Sequence, residues 1–232
     1  MRPFIVAIDG PAGAEKSTVS KLLSRRLGLS FVDTGALYRA VALSARRQGI
    51  AVEDDPGLSG LMGRIRISFK AVGDENRVYL DGEDVSAEIR APEISLLASA
   101  VSARPVVRDG LLGLQRRLAL EAPVGAVLEG RDIGTVVFPD ADLKFFLEAN
   151  PDVRARRRYE ELFQKGAESS LEAVLADQTK RDRDDASRAV APLRPAADAV
   201  RVDSSALPLS EVVRGLERTI RERMASSETA GS

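Results

Sequence analysis

Residues 4–18 read FIVAIDGPAGAEKST. The segment Pro3 to Asp9 is short, apolar and rich in β-branched side chains, the pattern of a buried strand. A glycine-bearing turn follows. From about Ser17 to Leu27 the apolar residues Val19, Leu22, Leu23 and Leu27 recur with helical spacing, and Gly28 supplies a stop. A buried strand feeding a tight turn and then an amphipathic helix leaves few architectures open. The helix has to pack back on the sheet, and a strand without a polar face needs parallel neighbours covered on both sides.

The turn itself, Gly10, Pro11, Ala12, Gly13, Ala14, Glu15, Lys16, Ser17 and Thr18, is one residue away from the phosphate-loop pattern G-x-x-x-x-G-K-[ST]. In such a loop successive backbone N–H groups form an anion nest, and the helix N-terminus adds positive potential. Lys16 would neutralise β- and γ-phosphates, Ser17 would ligate Mg²⁺, and Gly10 and Gly13 would let the backbone curl. Glu15 stands where the pattern has glycine. Its Cβ disfavours a positive φ, and its carboxylate would lie near phosphate charge. At a helix N-terminus that acid could instead be stabilised by the dipole and fill the nest itself. From these letters alone two readings stand, a phosphate loop with an acid in it or a coincidence of spacing.

Composition narrows the chemistry. The 232 residues suit one α/β domain with a small insertion. Histidine and cysteine are both absent, which removes imidazole acid–base catalysis, thiol chemistry, disulfides and most zinc sites. Carboxylates, arginine, lysine, hydroxyls, backbone dipoles and Mg²⁺ remain. The net charge of −1 gives no global field for nucleic acid or an anionic membrane, so neither is expected as a partner. Of the 34 cationic side chains only six are lysine. Such a bias can come from base composition alone, but arginine is also the residue that grips phosphate with a bidentate fork. No apolar run approaches membrane-spanning length, and the N-terminus lacks a signal-peptide layout, so a cytoplasmic location is the expectation. The sequence carries no signal of oligomeric state, and a monomer is the default expectation.

Along the chain, LSFVD is a second short strand, and Thr34 is a candidate N-cap for a helix running to about Gln48. GAVLEG, LKFFLEA and DAVRVDSS read as further strands, with helical patterns at Asp152–Lys165, Ser169–Asp182 and Ser210–Met224. Residues 64–89 break this rhythm. Alternating apolar and polar runs separated by Gly73-Asp74 and Asp81-Gly82 predict a small antiparallel β insertion, with a helix from about Pro92. Residues 226–232 read as a flexible tail.

Four further stretches carry a specific resemblance: DTGALYR (33–39), LDGEDVSAEIR (80–90), GRDIGTVVFPDADLKFFLEA (130–149) and KRDRDDASRAVAPLRPAADA (180–199). With IDGPAGA they resemble the bacterial cytidylate (CMP/dCMP) kinase family, in its order and spacing, from the first strand to about Met224. The resemblance implies a P-loop nucleoside-monophosphate-kinase fold of the α/β class, a parallel sheet covered by helices with a small antiparallel β insertion and an arginine-rich lid. It divides a single kinase domain (1–225) into a core of 1–62 and 91–225, a nucleoside-monophosphate-binding insertion of about 63–90 and a lid of about 154–192. It implies ATP as phosphoryl donor with Mg²⁺, and CMP or dCMP as acceptor. Gly10 to Thr18 would bind ATP, Ser17 the metal, and Lys16, Arg131 and Arg181 would be catalytic. Thr34, Arg39, Arg131, Arg181 and Arg188 would hold the acceptor side, Ser99, Arg108 and Asp132 the cytosine, and Asp185 the sugar.

Each assignment has a plainer reading beside it. Arg131-Asp132 could be a solvated loop ion pair, Arg154–Arg158 an exposed helix face, and Arg181–Arg188 a set of i,i+3 and i,i+4 pairs with Asp182, Asp184 and Asp185. Tyr38 reads as packing. A GTPase lacks support because no N-K-x-D motif occurs, and AVLEGRD differs from the apolar strand ending in Asp-Glu of helicase and transporter ATPases. An adenylate- or uridylate-type kinase is disfavoured by the β insertion. A nucleotide-binding protein of the same fold, its ATP site impaired by Glu15, is the alternative from another class.

Overall fold

The computed structural model describes residues 2–73, 75–164, 166, 169–188 and 190–230. Asp74 of the expected turn, Lys165 at the expected helix end, Ala189 in the arginine-rich segment, and Gly231 and Ser232 of the tail lie outside the described residues. The chain divides into two compact units, residues 1–32 with 119–232, and residues 33–118.

The first unit holds the strands β1 (Phe4–Asp9), β2 (Ser30–Asp33, its last residue belonging to the second unit), β3 (Gly125–Gly130), β4 (Leu143–Glu148) and β5 (Val200–Asp203). They form one sheet in the order β2-β3-β1-β4-β5. The pairs β1/β3, β1/β4 and β4/β5 are parallel. This is the order in which a chain crosses over between strands through helices, as the alternating pattern required. Helix α1 (Lys16–Leu27) and the C-terminal helix α8 (Leu209–Ala230) pack together on the sheet. Their apolar faces, Val19 and Leu23 with Val212, Val213, Leu216 and Ile220, close over Val6, Ile8, Val127, Phe145 and Leu147. Helices α6 (Pro151–Gln164) and α7 (Leu171–Ser187) contact each other in the same unit.

The second unit is built around α2 (Thr34–Arg47) with α3 (Asp55–Arg64), α4 (Pro92–Val101) and α5 (Pro105–Leu120, its last two residues belonging to the first unit). Three antiparallel strands, β6 (Ile67–Val72), β7 (Glu75–Leu80) and β8 (Glu83–Asp84), make a separate small sheet. Leu37, Val41 and Leu43 of α2, Leu58 and Leu61 of α3, and Ile94, Ala98 and Val101 of α4 share one core with Ile67, Val78 and Leu80 of the small sheet. A three-stranded sheet with one apolar face cannot bury that face alone. The compact unit therefore runs well beyond the 63–90 stretch expected as the insertion.

Three local readings are corrected. Thr34 is the first residue of α2 and not its N-cap. Asp33 caps the helix, its carboxylate accepting from the Ala36 N–H at 2.8 Å, since an acid at that position also meets the positive end of the dipole. Helix α3 was not anticipated, because Pro56, Gly57, Gly60 and Gly63 mask its periodicity. Asp54 caps it through the Gly57 N–H at 2.9 Å, and Pro56 lies in its first turn, where proline is tolerated. Helix α8 continues to Ala230, into the expected tail, because extending a formed helix costs little when no glycine or proline intervenes.

At the end of β1 the chain leaves the sheet through Gly10, at φ 149°. A Cβ there would lie 1.9 Å from the carbonyl oxygen of Leu147 on β4, a backbone atom that cannot move aside. Gly10→Ala is expected to destabilise the protein by about 3 kcal/mol. That corresponds to a fall in Tm of roughly 6–12 °C in thermal unfolding. An unchanged Tm would show that β1 and β4 are not so closely joined.

Candidate active site

The turn between β1 and α1 is a loop whose backbone is held from below. A Cβ on Gly13 would meet Gln178 Nε2 at 2.8 Å and Arg154 Cβ at 3.0 Å, so the loop sits directly on α6 and α7. Lys16 opens α1 and is buried, with its Nζ donating to the carbonyl of Pro11 at 2.7 Å across the loop. Burial, and then the charge of Arg131, pull the Lys16 ammonium down to about 7, against the opposing pull of Glu129 and Asp9. An anion in the loop would reverse that shift by supplying the missing negative charge. Ser17 and Thr18 follow on the exposed side of the first turn, which contains no acidic residue. The N–H groups of that turn are the orphan donors that make a helix N-terminus an anion site.

Glu15 adopts φ 60° and ψ 18°, the left-handed conformation that glycine takes without strain. For a residue with a Cβ this costs about 1–2 kcal/mol. Its carboxylate does not cap α1. It turns instead to α6, where Arg157 Nη1 lies 3.2 Å from Oε2. Arg157 is itself anchored, donating to Ser204 Oγ at 3.1 Å and to the Ser204 carbonyl at 2.8 Å. The acid that could have filled the nest is thus drawn off by a fixed guanidinium.

Around the loop the first unit gathers most of the remaining candidates. Arg131 follows β3 and donates from Nε to Asp185 at 2.9 Å and from Nη1 to the Gly130 carbonyl at 3.3 Å. Arg188 also pairs with Asp185, at 2.6 Å. Burial opposes the charge on Asp185, but Arg131 and Arg188 outweigh it and hold the carboxyl below its ordinary range. Arg181 acts electrostatically on both Lys16 and Asp185. Asp132 is buried at the head of a single π-helical turn, Ile133–Val137. The solvated-pair reading of Arg131-Asp132 therefore fails. The i,i+3 reading holds for Arg188–Asp185, although that aspartate also serves Arg131 from 54 residues away.

Residue Arg154 corrects the reading of Arg154–Arg158 as an exposed face. It is buried, donating from Nε to the Ala149 carbonyl at 2.9 Å and from Nη1 to the Ala12 carbonyl at 3.0 Å. Its Nη2 lies 2.7 Å from Asp182 on α7. One guanidinium thus ties the loop to both helices. The signal available was its place on the apolar face beside buried Ala155, three residues from Arg157, in a run whose charge suggested solvent.

The second unit carries the other candidates. Thr34 is buried at the start of α2. Arg39 reaches back to Asp33 at 3.3 Å, and its Nε is buried with no hydrogen-bond partner among the described residues. Arg108 is buried, its guanidinium 5.7 Å from the centre of the Tyr38 ring and donating to the Ser102 carbonyl at 3.1 Å. Tyr38 is therefore a stacking surface as well as packing. Ser99 is half-buried on α4, and its carbonyl accepts from Ser102 Oγ at 2.8 Å.

The family profile described as cytidylate kinase matches residues 6–222. The chain belongs to the cytidylate kinase family. It is 53% identical over 224 residues to the cytidylate kinase of Geobacter sp. (strain M21), covering 97% of this chain and 95% of that one. It is 54% identical over 222 residues to that of Geobacter sulfurreducens, covering 96% and 94%. Among solved structures, a gluconokinase from Sinorhizobium meliloti aligns with a TM-score of 0.50 at 17% identity, covering 99% of this chain and 98% of that one, which shows likeness of fold.

For a cytidylate kinase family member, Glu15 sets two opposed terms, backbone strain against an ion pair of about 0.2–1 kcal/mol. Glu15→Gly removes both, whereas Glu15→Ala keeps the strain and loses the pair. The expected order of Tm in thermal unfolding is Gly above Glu above Ala. A glycine variant less stable than the alanine variant would contradict the left-handed assignment.

Proposed function

We propose that this chain transfers the γ-phosphoryl group of ATP to CMP or dCMP, giving ADP and CDP or dCDP. The observation that carries the reading is the buried Lys16 at the head of α1, within the field of Arg131 and at a helix N-terminus to which Glu15 gives no side-chain cap. The attacking atom is an oxygen of an acceptor phosphate that is already anionic, so no general base is required. Catalysis reduces to aligning two phosphates and neutralising the charge between them. A chain without histidine is equipped for that.

In this reading residues Gly10 to Thr18 cradle the donor triphosphate and Lys16 balances its β- and γ-charges. Arg131 and Arg181 span donor and acceptor, Arg39 and Arg188 bind the acceptor phosphate with Thr34 nearby, and Asp185 orients the sugar. The segment 154–192 acts as the lid. Asp132, with Ser99 and Arg108 in the same recognising group, accepts the exocyclic amine of cytosine. Uracil lacks that donor and would leave a buried acceptor unpaired.

Mg²⁺ fits the donor set. Among the described residues no group of three or more His, Cys, Asp or Glu is arranged for a metal. Mg²⁺ in nucleotide sites is commonly held by one or two protein oxygens together with phosphate. Ser17, exposed beside Lys16, is the protein oxygen in question. When bound, the ion would offset phosphate charge. No helix among the described residues is long and apolar enough to cross a membrane. A monomer working in the cytoplasm on small molecules, without nucleic acid, is part of the same reading.

A coupled ADP-release assay with ATP·Mg²⁺ and CMP, dCMP, UMP or AMP tests it. Turnover is expected with CMP or dCMP well above UMP and AMP, and no turnover with either cytidine nucleotide would overturn the proposal. Asp132→Ala is expected to erode the preference for CMP over UMP while leaving the KM for ATP within about twofold. An unchanged preference would count against Asp132.

A second reading rests on Glu15 and Arg157, whose ion pair keeps a carboxylate at the mouth of the donor loop. It holds that donor binding or turnover is weakened in this chain. Glu15→Gly is then expected to raise kcat/KM for ATP on the order of 10²-fold, by analogy with the loss of one preorganised donor. Equal constants in the two proteins would dispose of the weakening.

A further inference from the structure

Asp9 is a carboxylate at the end of an otherwise apolar strand, and it is buried. Burial pushes it up to about 6, so an ionised carboxylate there is held at a cost. What compensates it is specific. One oxygen, Oδ1, accepts from the Ile133 N–H at 2.8 Å, and the other, Oδ2, accepts from the Gly134 N–H at 2.8 Å. Those amides open the π turn that begins directly after Asp132, and the side chain of Asp132 makes no cap bond to it. The carbonyl of Asp132 meanwhile accepts from Val136 and Val137, at 2.9 and 3.2 Å. Gly134 is packed tightly, since an added Cβ would meet Lys144 Cδ at 3.0 Å and Asp9 Oδ2 at 3.4 Å.

We infer that Asp9 is a positioning residue for base selection: by capping the turn from β1, it fixes the backbone that carries Asp132. An aspartate that opens a turn ordinarily caps its own amides. Here the cap comes from 124 and 125 positions away in the chain. The same residue borders the phosphate loop through Gly10, so donor loop and base-reading segment share one anchor. This inference rests on the proposed cytidylate kinase activity.

Asp9→Asn tests it with almost no change of shape. The amide has one acceptor oxygen, and its NH₂ faces an N–H donor, so one of the two bonds is lost. Two measurements are made on wild type and variant. The first is the ratio of kcat/KM for CMP to that for UMP, which does not depend on how much of the enzyme is folded. It is expected to fall roughly tenfold in the variant; the lost charge beside Lys16 alters ATP binding equally in the CMP and UMP assays and so cancels in the ratio. The second is amide hydrogen exchange, expected to be at least about tenfold faster at Ile133 and Gly134 with the β3 amides unchanged. An unchanged CMP/UMP ratio, or unchanged exchange at the two amides, would overturn the inference. If Asp9→Asn does not fold, Asp9→Glu, which keeps both oxygens but moves them by one methylene, is read by the same two measurements with the same expected and contrary results. Should the wild type show no preference for CMP, the functional reading fails, and the exchange data still report on the cap by themselves.

Discussion

The site depends on the parallel register of β1 and β3, which ends with Asp9 opposite Gly130. In a parallel sheet both strands deliver their C-terminal ends to the same edge, and ligand chemistry in open α/β folds gathers there. The phosphate loop leaves from one strand and Arg131-Asp132 from the next. A slip of one residue would turn Asp9 to the opposite face of the sheet and separate the loop from its cations. Fully buried apolar residues on both strands, from Ile5 to Ile8 and from Ala126 to Leu128, make such a slip costly.

Given that register, the surrounding arginines divide the work. Arg154 braces the loop on α6 and α7, and Arg131 and Arg188 share the buried Asp185. Arg157 holds the carboxylate of Glu15. Breaking a buried charge pair on one side leaves the other charge unbalanced. The arginine-rich composition is therefore structural: these cations shape the loop and its surroundings, and the same positive field is what a polyphosphate would meet.

The frame of the fold was legible because its signals are local: an apolar strand, a glycine turn and 3.6-residue periodicity recur in order. The small sheet announced itself by alternation. What stayed hidden depended on distance in the chain. Arg154 reads as one of four arginines in five residues, and nothing local says that the first of them reaches Ala12. Asp9 reads as the last residue of a strand, because its partners Ile133 and Gly134 lie beyond two crossovers. Helix α3 was obscured by Pro56 and three glycines, whose propensities are overridden by the burial of Leu58 and Leu61. The candidate residues themselves were legible through five motifs in a family's order, while their pairings, such as Arg131 with Asp185, required the fold.

Glu15 concentrates the remaining tension, since a left-handed glutamate sits where the loop needs an open nest. Arg157 draws the carboxylate aside, which leaves the loop open to a triphosphate. The direct measurement is an ATP titration of ¹⁵N-labelled wild-type protein followed by amide chemical shifts. Saturable one-to-one binding is expected, with the amides of Gly13 to Ser17 shifting most. No shift of those amides at ATP concentrations that saturate the Glu15→Gly protein would contradict it.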